Sequence, residues 1–105
     1  MIDVKTKFVS VLIFTIEPDD LPAFAREATL AVQRNAPMRP GFVEGVVMAN
    51  ESKTEALIVT QWESKHDWIE AQWDEDIGRT VADLVEGTRT FDVRSFEPIT
   101  IVRAS

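Results

Sequence analysis

The 105-residue sequence contains no cysteine and no tyrosine, only four glycines, and a single histidine, His66. Without cysteine the chain can form no disulfide, no thiolate metal site and no thiol nucleophile. It also has no run of lysine and arginine, and its formal net charge is −7. Surfaces that bind nucleic acid or anionic membranes are basic, so we expect no nucleic-acid partner and no membrane partner.

Long apolar runs are missing as well. No stretch is long enough to span a bilayer, and the N-terminal residues enter a strand-like run without the features of a signal peptide. We therefore expect a cytoplasmic protein. Hydrophobic residues still make up 45% of the chain. This is enough for a core, and the length predicts one domain that covers residues 1–105.

Residues 41–64 hold the clearest local pattern, which predicts an antiparallel hairpin. Two runs rich in β-branched and aromatic residues flank the polar segment 50–54. Simple alternation places Phe42 and Gly45 on opposite faces of the first strand, and a glycine inside a strand indicates a bulge or a close backbone approach. On the second strand one face carries Ala56, Ile58, Thr60 and Trp62.

The segment before the hairpin predicts a strand and a helix. Residues 7–16 are apolar on both faces, which is typical of a strand that is covered on both sides. Asp19 or Asp20 is the expected N-cap of a helix that ends near Asn35. The apolar residues of this helix fall on one stripe, so we expect it to pack against the sheet.

The segment after the hairpin predicts two helices and a strand. Ser64 begins a weak capping box, Asp74 is the expected cap of the second helix, and Gly87 is its expected stop. Residues 88–103 predict a long last strand. Pro98 cannot donate to a strand ladder, so the strand should be bulged there, lie at an edge or change partner.

The resulting order, β-α-β-β-α(α)-β, predicts a ferredoxin-like α+β fold with the helices on one face of an antiparallel sheet. The helices can cover only one face, whereas the strands are apolar on both. In so short a chain a second copy, packed sheet against sheet, would cover the other face. We therefore predict a homodimer with two-fold symmetry.

Residues 40–64 also resemble the antibiotic biosynthesis monooxygenase family. The resemblance lies in the segment PGF at residues 40–42, the polar hairpin, and the segment QWES at residues 61–64 before a helix. It implies a dimeric α+β barrel. Some members of that family oxidise aromatic quinols or anthrones with O2, and the substrate itself activates the oxygen. The resemblance therefore implies a monooxygenase that uses a small aromatic or polyketide-like substrate, O2 and no cofactor.

The same resemblance implies a set of site residues. Trp62 corresponds to a tryptophan near the pocket of the quinone-forming members. Those members carry an asparagine four residues before this tryptophan and a tyrosine six residues after it, where this chain has Ile58 and Trp68. Trp62 is a catalytic candidate that either lines a pocket between helices and sheet, with its indole N–H available to a ligand, or is a large core residue. The other expected lining residues are Phe24, Ala28, Ile58, Thr60 and Trp68.

His66 is the candidate general base. Histidine exchanges protons readily near neutral pH, and a quinol must lose a proton before it gives an electron to O2. It could equally be an exposed residue in the first turn of its helix. Two other functions stay open: a cyclase or isomerase that uses His66 for proton transfer, and a non-catalytic small-molecule-binding or stress-related barrel.

Several other residues could have either a structural or a functional role. Ser10 and Thr60 interrupt apolar faces and could be pocket hydroxyls or hydrogen-bonded core residues. Trp73 lies on the apolar stripe after the hairpin and is expected in the core. Residues 74–76 are acidic, but three consecutive helical side chains point apart, so we expect no metal site.

Overall fold

The computed structural model describes residues 4–72, 74–86 and 88–104. The expected core residue Trp73 and the expected helix stop Gly87 lie outside these ranges. Within them the elements are β1 (Phe8–Thr15), α1 (Leu21–Asn35), β2 (Phe42–Ala49), β3 (Glu55–Trp62), α2 (Lys65–Gln72), α3 (Glu75–Glu86) and β4 (Thr90–Phe96). The strands form one antiparallel sheet in the order β2-β3-β1-β4. The predicted ferredoxin-like α+β fold is therefore confirmed.

The core lies between one face of the sheet and the helices. Phe14 of β1 is fully buried, and its ring centroid lies 4.8 Å from that of Phe24 on α1 and 5.1 Å from that of Phe91 on β4. Ala28 of α1 and Leu84 of α3 join the same cluster. The apolar stripe predicted for α1 is thus the face that packs on the sheet.

No described helix covers the opposite face of the sheet. Its central positions, on β1 and β3, are half-buried, whereas Met48 on β2 is 44% exposed and Phe96 on β4 is 52% exposed. The apolar face therefore lies on the surface of the single chain.

No described helix has the length and hydropathy of a membrane span.

The hairpin forms as predicted, but its bulge does not lie at Gly45. The register of β2 on β3 shifts between Phe42 and Glu44, and Phe42 pairs with Trp62. Phe42 consequently shares a face with Gly45, so the assignment by simple alternation is wrong. Gly45 is instead a site of close approach, because a Cβ there would lie 2.8 Å from Cγ1 of Val32 on α1.

The last strand is shorter than predicted. β4 ends at Phe96, and no regular structure follows through residue 104. Phe96 already pairs with Val9 near the start of β1, so no described strand remains to pair with the chain beyond it. Pro98 also lacks the N–H that a ladder requires. Ile99 and Val102 are therefore almost fully exposed.

The predicted caps hold for two helices and fail for one. A 3-10 turn, Pro18–Asp20, leads into α1 and gives Asp20 a helical backbone, so its side chain forms no capping hydrogen bond. Before α2, Ser64 Oγ accepts the N–H of Asp67 at 3.0 Å and donates to Oδ2 of Asp67 at 2.9 Å. Before α3, Asp74 accepts backbone N–H groups as predicted.

Candidate functional site

A mostly apolar cavity lies between the helix-covered face of the sheet and helices α1 and α3. Its volume is about 80 Å³. The sheet supplies the floor, the C-terminal half of α1 supplies one wall, and α3 with the end of α2 supplies the other. Its lining includes Ser10, Leu12, Asn35, Ile58, Thr60, Trp62, Thr80 and Leu84.

Two hydroxyl groups lie side by side on the floor. Ser10 and Thr60 are direct partners across β1 and β3, so their side chains share the helix-covered face. The indole N–H of Trp62 donates to Thr60 Oγ1 at 2.9 Å. The expectation that this N–H is available to a ligand is therefore wrong, but the hydroxyl proton of Thr60 stays free to donate into the cavity.

Ser10 is the more enclosed of the two hydroxyl residues. Only 2% of it is exposed, and its Oγ has no hydrogen-bond partner among the described residues. No buried side-chain polar atom of the described residues lacks a partner, so the Oγ of Ser10 is accessible from the cavity that the residue lines. A bound molecule could form a hydrogen bond with it there.

Asn35 and Thr80 place polar groups on the helical walls. Nδ2 of Asn35 donates to the carbonyl of Ala31 at 2.8 Å and to Thr80 Oγ1 at 3.5 Å. Thr80 Oγ1 in turn donates to the carbonyl of Asp76 at 2.8 Å. Oδ1 of Asn35 is left without a partner among the described residues. The cavity therefore presents donors on its floor and an acceptor on its α1 wall.

An ion pair fixes the two helical walls relative to each other. Nη2 of Arg39 lies 2.7 Å from Oδ2 of Asp74, and Nε of Arg39 donates to the backbone carbonyl of Asn35 at 3.1 Å. Burial by itself would raise the pKa of Asp74. The backbone N–H groups of Ile77 and Asp76, together with Arg39, outweigh this effect and lower the pKa below its ordinary value of 3.8.

Replacing Asp74 by Asn is expected to destabilise the protein at neutral pH and to have less effect in acid. A lowered pKa means that the carboxylate stabilises the fold above the ordinary value and that this contribution is lost as the pH falls through the folded value. Asn keeps a capping oxygen, so the variant isolates the charge. Urea midpoints of the two proteins should converge as the pH is lowered through the acid range. A difference that stays constant with pH would contradict the assignment.

The structure brings three of the seven predicted site residues to the cavity, namely Ile58, Thr60 and Trp62. Phe24 and Ala28 are instead buried in the neighbouring core cluster. They lie on the same stripe of α1 as the lining residues but nearer its N-terminus. The stripe is longer than the cavity, and only its C-terminal end faces the opening.

The other two predicted residues lie elsewhere. Trp68 packs on Phe8 with ring centroids 5.0 Å apart. The His66 side chain is 78% exposed, and its Nε2 lies 3.8 Å from Oε1 of Glu70. Ala71 is the buried residue of α2, and His66, five positions earlier, faces away from it. The candidate base is thus an exposed first-turn residue outside the cavity.

Sequence analysis missed the polar residues on the helical walls, which are Asn35, Gln72 and Thr80. A signal for Asn35 and Thr80 is present. Asn35 follows Ala31 by four residues and Thr80 follows Ile77 by three, spacings that continue the apolar stripe of each helix. A polar residue on such a stripe either forms its hydrogen bonds within its own helix or faces a polar cavity.

The cavity carries no charge. No described lining residue has an ionisable side chain, and no group of described His, Cys, Asp or Glu residues could hold a metal ion. Such a site can bind a neutral hydroxylated molecule and can stabilise an oxyanion through its hydroxyl donors. It offers no acid or base of its own for proton transfer.

Known proteins match this chain by structure only. No protein-family model and no curated protein matches its sequence. The ActVA-Orf6 monooxygenase of Streptomyces coelicolor, solved in complex with nanaomycin D, matches with a TM-score of 0.84 and 19% identity over 98% of this chain and 96% of that chain. A variant of SnoaB, a cofactor-independent oxygenase from Streptomyces nogalater, matches with a TM-score of 0.73 and 16% identity over 94% and 99%.

A third structure connects the fold to the family that the hairpin motif resembles. It is an antibiotic biosynthesis monooxygenase, with a TM-score of 0.73 and 10% identity over 89% of this chain and 99% of that chain. The fold expected from residues 40–64 is therefore confirmed as the fold of these monooxygenases. Identities of this size support the fold alone, so the activity has to be argued from the cavity.

Proposed function

We propose that the protein is a cofactor-independent monooxygenase that oxidises a small hydroxylated aromatic molecule with O2. One observation carries the proposal: two hydroxyl donors, Ser10 and Thr60, lie together on the floor of an apolar and uncharged cavity. The fold shared with two oxygenases, one of them solved in complex with nanaomycin D, supports it.

The two hydroxyls would stabilise the deprotonated form of the substrate. Hydrogen bonds to a phenolate lower the pKa of the bound phenol, and donors fixed in a site that excludes water act more strongly than donors in water. The hydrogen bond from Trp62 makes Thr60 a better donor. Because a phenolate gives an electron to O2 more easily than a phenol, the protein would supply orientation and electrostatics while the substrate supplies the electrons.

The proposed reaction balances without an outside reductant. For a methylene carbon between two aromatic rings, RCH2R′ and O2 give RC(=O)R′ and H2O. Two C–H bonds break, one C=O bond forms, and four electrons pass from carbon to O2. One oxygen atom enters the product and the other leaves as water, together with the two hydrogens.

The test is oxygen uptake by the purified protein with a panel of hydroquinones, catechols and anthrones. With anthrones, whose methylene carbon is the one oxidised, we expect one O2 consumed per product, one labelled atom from ¹⁸O2 in the product and slower uptake by Trp62→Phe. An anaerobic run serves as the control. Product without O2 would indicate a cyclase or isomerase instead, and equal uptake by Trp62→Phe would place the reaction outside this cavity.

A non-catalytic small-molecule-binding role is the second candidate. It is favoured by the lack of an acid or base among the described lining residues. A binding protein would quench tryptophan fluorescence with the same panel of compounds and consume no O2 with any of them.

We also propose that the protein is a homodimer through the uncovered face of its sheet. A second copy on this face would remove Met48 and Phe96 from water, together with the half-buried central side chains Val11, Ile13, Leu57 and Val59. Burial of this apolar area favours association. The sheet of one copy would then support the sheet that forms the cavity floor of each subunit.

Sedimentation equilibrium tests the dimer. The wild type should sediment at twice the mass of the chain, and Val59→Lys should sediment as a monomer because it places a charge at the centre of the face. Thr29→Lys is the control, since Thr29 lies exposed on α1. A monomeric wild type would refute the proposal.

A further inference from the structure

The cavity shares a wall with a groove on the outer surface between α1 and α3. The groove has a volume of about 230 Å³, and four residues line both spaces, namely Ala31, Asn35, Thr80 and Leu84. The inner cavity, at about 80 Å³, is smaller than the roughly 150 Å³ that accommodates a benzene ring. An aromatic ligand whose hydroxyl reaches the floor would therefore fill the cavity up to this shared wall.

Asn35 is a polar residue of this shared wall, and its acceptor atom Oδ1 is free of hydrogen bonds to described residues. Its Nδ2 is committed to Ala31 and Thr80, and its backbone carbonyl is held by Arg39. These bonds fix the orientation of the amide. Its Oδ1 has no described partner, and the residue lines both the cavity and the groove.

We propose that Asn35 positions the substrate by accepting, at Oδ1, a hydrogen bond from a second hydroxyl on the side of the ring away from Ser10 and Thr60. This inference rests on the proposed function and defines its substrate class more narrowly. The donors lie on the sheet and the acceptor lies on α1, and apolar side chains such as Leu12, Ile58 and Leu84 line the same cavity. Because the donors and the acceptor lie on different sides of the cavity, we expect it to select two hydroxyls on opposite sides of a ring, as in hydroquinone, over the adjacent hydroxyls of catechol.

The expected selectivity follows from the half-buried position of Asn35. A phenol leaves Oδ1 without its hydrogen bond, which corresponds to about a tenfold weaker binding for a bond of typical net strength. Catechol should bind like phenol, because its second hydroxyl lies on the wrong side of the ring. Tighter binding of hydroquinone than of phenol and catechol is thus the result expected if Asn35 accepts this hydrogen bond.

Calorimetric titration under anaerobic conditions tests this inference, because it measures binding without turnover. The probes are hydroquinone, catechol and phenol, and the proteins are the wild type, Asn35→Leu and Asn35→Asp. Asn35→Leu removes the acceptor, whereas Asn35→Asp keeps an acceptor but loses the donation to Ala31 and Thr80. Thr29→Val is the matched control, because Thr29 makes the same kind of bond to a carbonyl four residues earlier, at 2.7 Å, on the exposed side of α1.

We expect the wild type and Thr29→Val to bind hydroquinone about tenfold more tightly than phenol, and Asn35→Leu to bind both equally. Asn35→Asp keeps the acceptor without the bonds that orient it, so it should keep part of the preference. If Asn35→Leu keeps the preference, or Asn35→Asp shows none, the inference is wrong. It is also wrong if the wild type binds none of the probes or all three equally. Selective binding without O2 uptake would refute the proposed function and leave the role of Asn35 in place.

Discussion

Replacing Thr60 by Val should lower the turnover number for substrate-dependent O2 uptake about 100-fold with little change in KM, as expected when one donor is removed from an oxyanion site. The effect should fall on turnover because the Thr60 hydroxyl interacts more strongly with the charged phenolate than with the neutral phenol. Steady-state rates from an oxygen electrode, at several substrate concentrations, separate the two constants.

The variant has a structural side effect that needs its own control. Trp62 is 3% exposed and donates its N–H to Thr60, so Thr60→Val leaves a buried donor unpaired at a cost of about 1–3 kcal/mol. The double variant Thr60→Val/Trp62→Phe removes both partners and should recover most of the stability but none of the activity. Thr60→Ser keeps the hydroxyl and should stay active. Equal losses in Thr60→Ser and Thr60→Val would show that packing, not the hydroxyl, is responsible.

The fold was predictable because its determinants are local. Alternation around residues 50–54 defines the hairpin, and Ser64 and Asp74 begin their helices through bonds to residues two or three positions away. The errors concern features that depend on distant partners. The length of β4 depends on where β1 starts, and the position of the bulge depends on how Phe42 meets Trp62 across the hairpin.

The candidate site was predictable only on its floor. As polar interruptions in strands, Ser10 and Thr60 are recognisable because alternate residues of a strand must share a face, although the sequence left open whether they are pocket hydroxyls or core residues. The helical walls depend on which turn of α1 lies over the opening, and that is set by tertiary packing. The apolar pattern therefore does not distinguish one part of the stripe from another, and the predicted lining residue Ala28 lies one turn before Ala31, where the lining begins.

His66 shows a second limit of sequence reasoning. Its chemistry makes it the obvious base, but its position is set by the helix start that precedes it. Ser64 and Asp67 cap each other, and this fixes the rotation of α2 so that Ala71 faces the core and His66 faces solvent. A residue can thus have suitable chemistry and still lie on the wrong side of its helix.

The second large effect is on stability, and it involves the same capping pair, Ser64 and Asp67. Gly41→Ala should destabilise the protein by about 2–4 kcal/mol, through backbone strain and steric overlap together. Gly41 has φ of +79°, a conformation that side chains disfavour, and a Cβ there would overlap the carboxyl group of Asp67 and lie 2.6 Å from its Cβ. Its carbonyl also accepts the N–H of Glu63 at 2.8 Å, so it cannot move without disturbing the end of β3.

Asp67 cannot move away from Gly41 without loss of the α2 cap, because Ser64 is hydrogen-bonded to both the backbone and the carboxylate of Asp67. Chemical denaturation of Gly41→Ala, Gly41→Ala/Asp67→Ala and Gly78→Ala separates the contributions. The double variant should recover the steric part and keep the backbone strain. Gly78→Ala, whose Cβ would meet nothing within 4 Å, should instead gain about 0.5–1 kcal/mol because alanine favours a helix. A Gly41→Ala protein as stable as the wild type would mean that β2 enters the sheet by a different turn. The hydrogen bond from Glu63 to Gly41 would then not fix the neighbouring residue Trp62 in place.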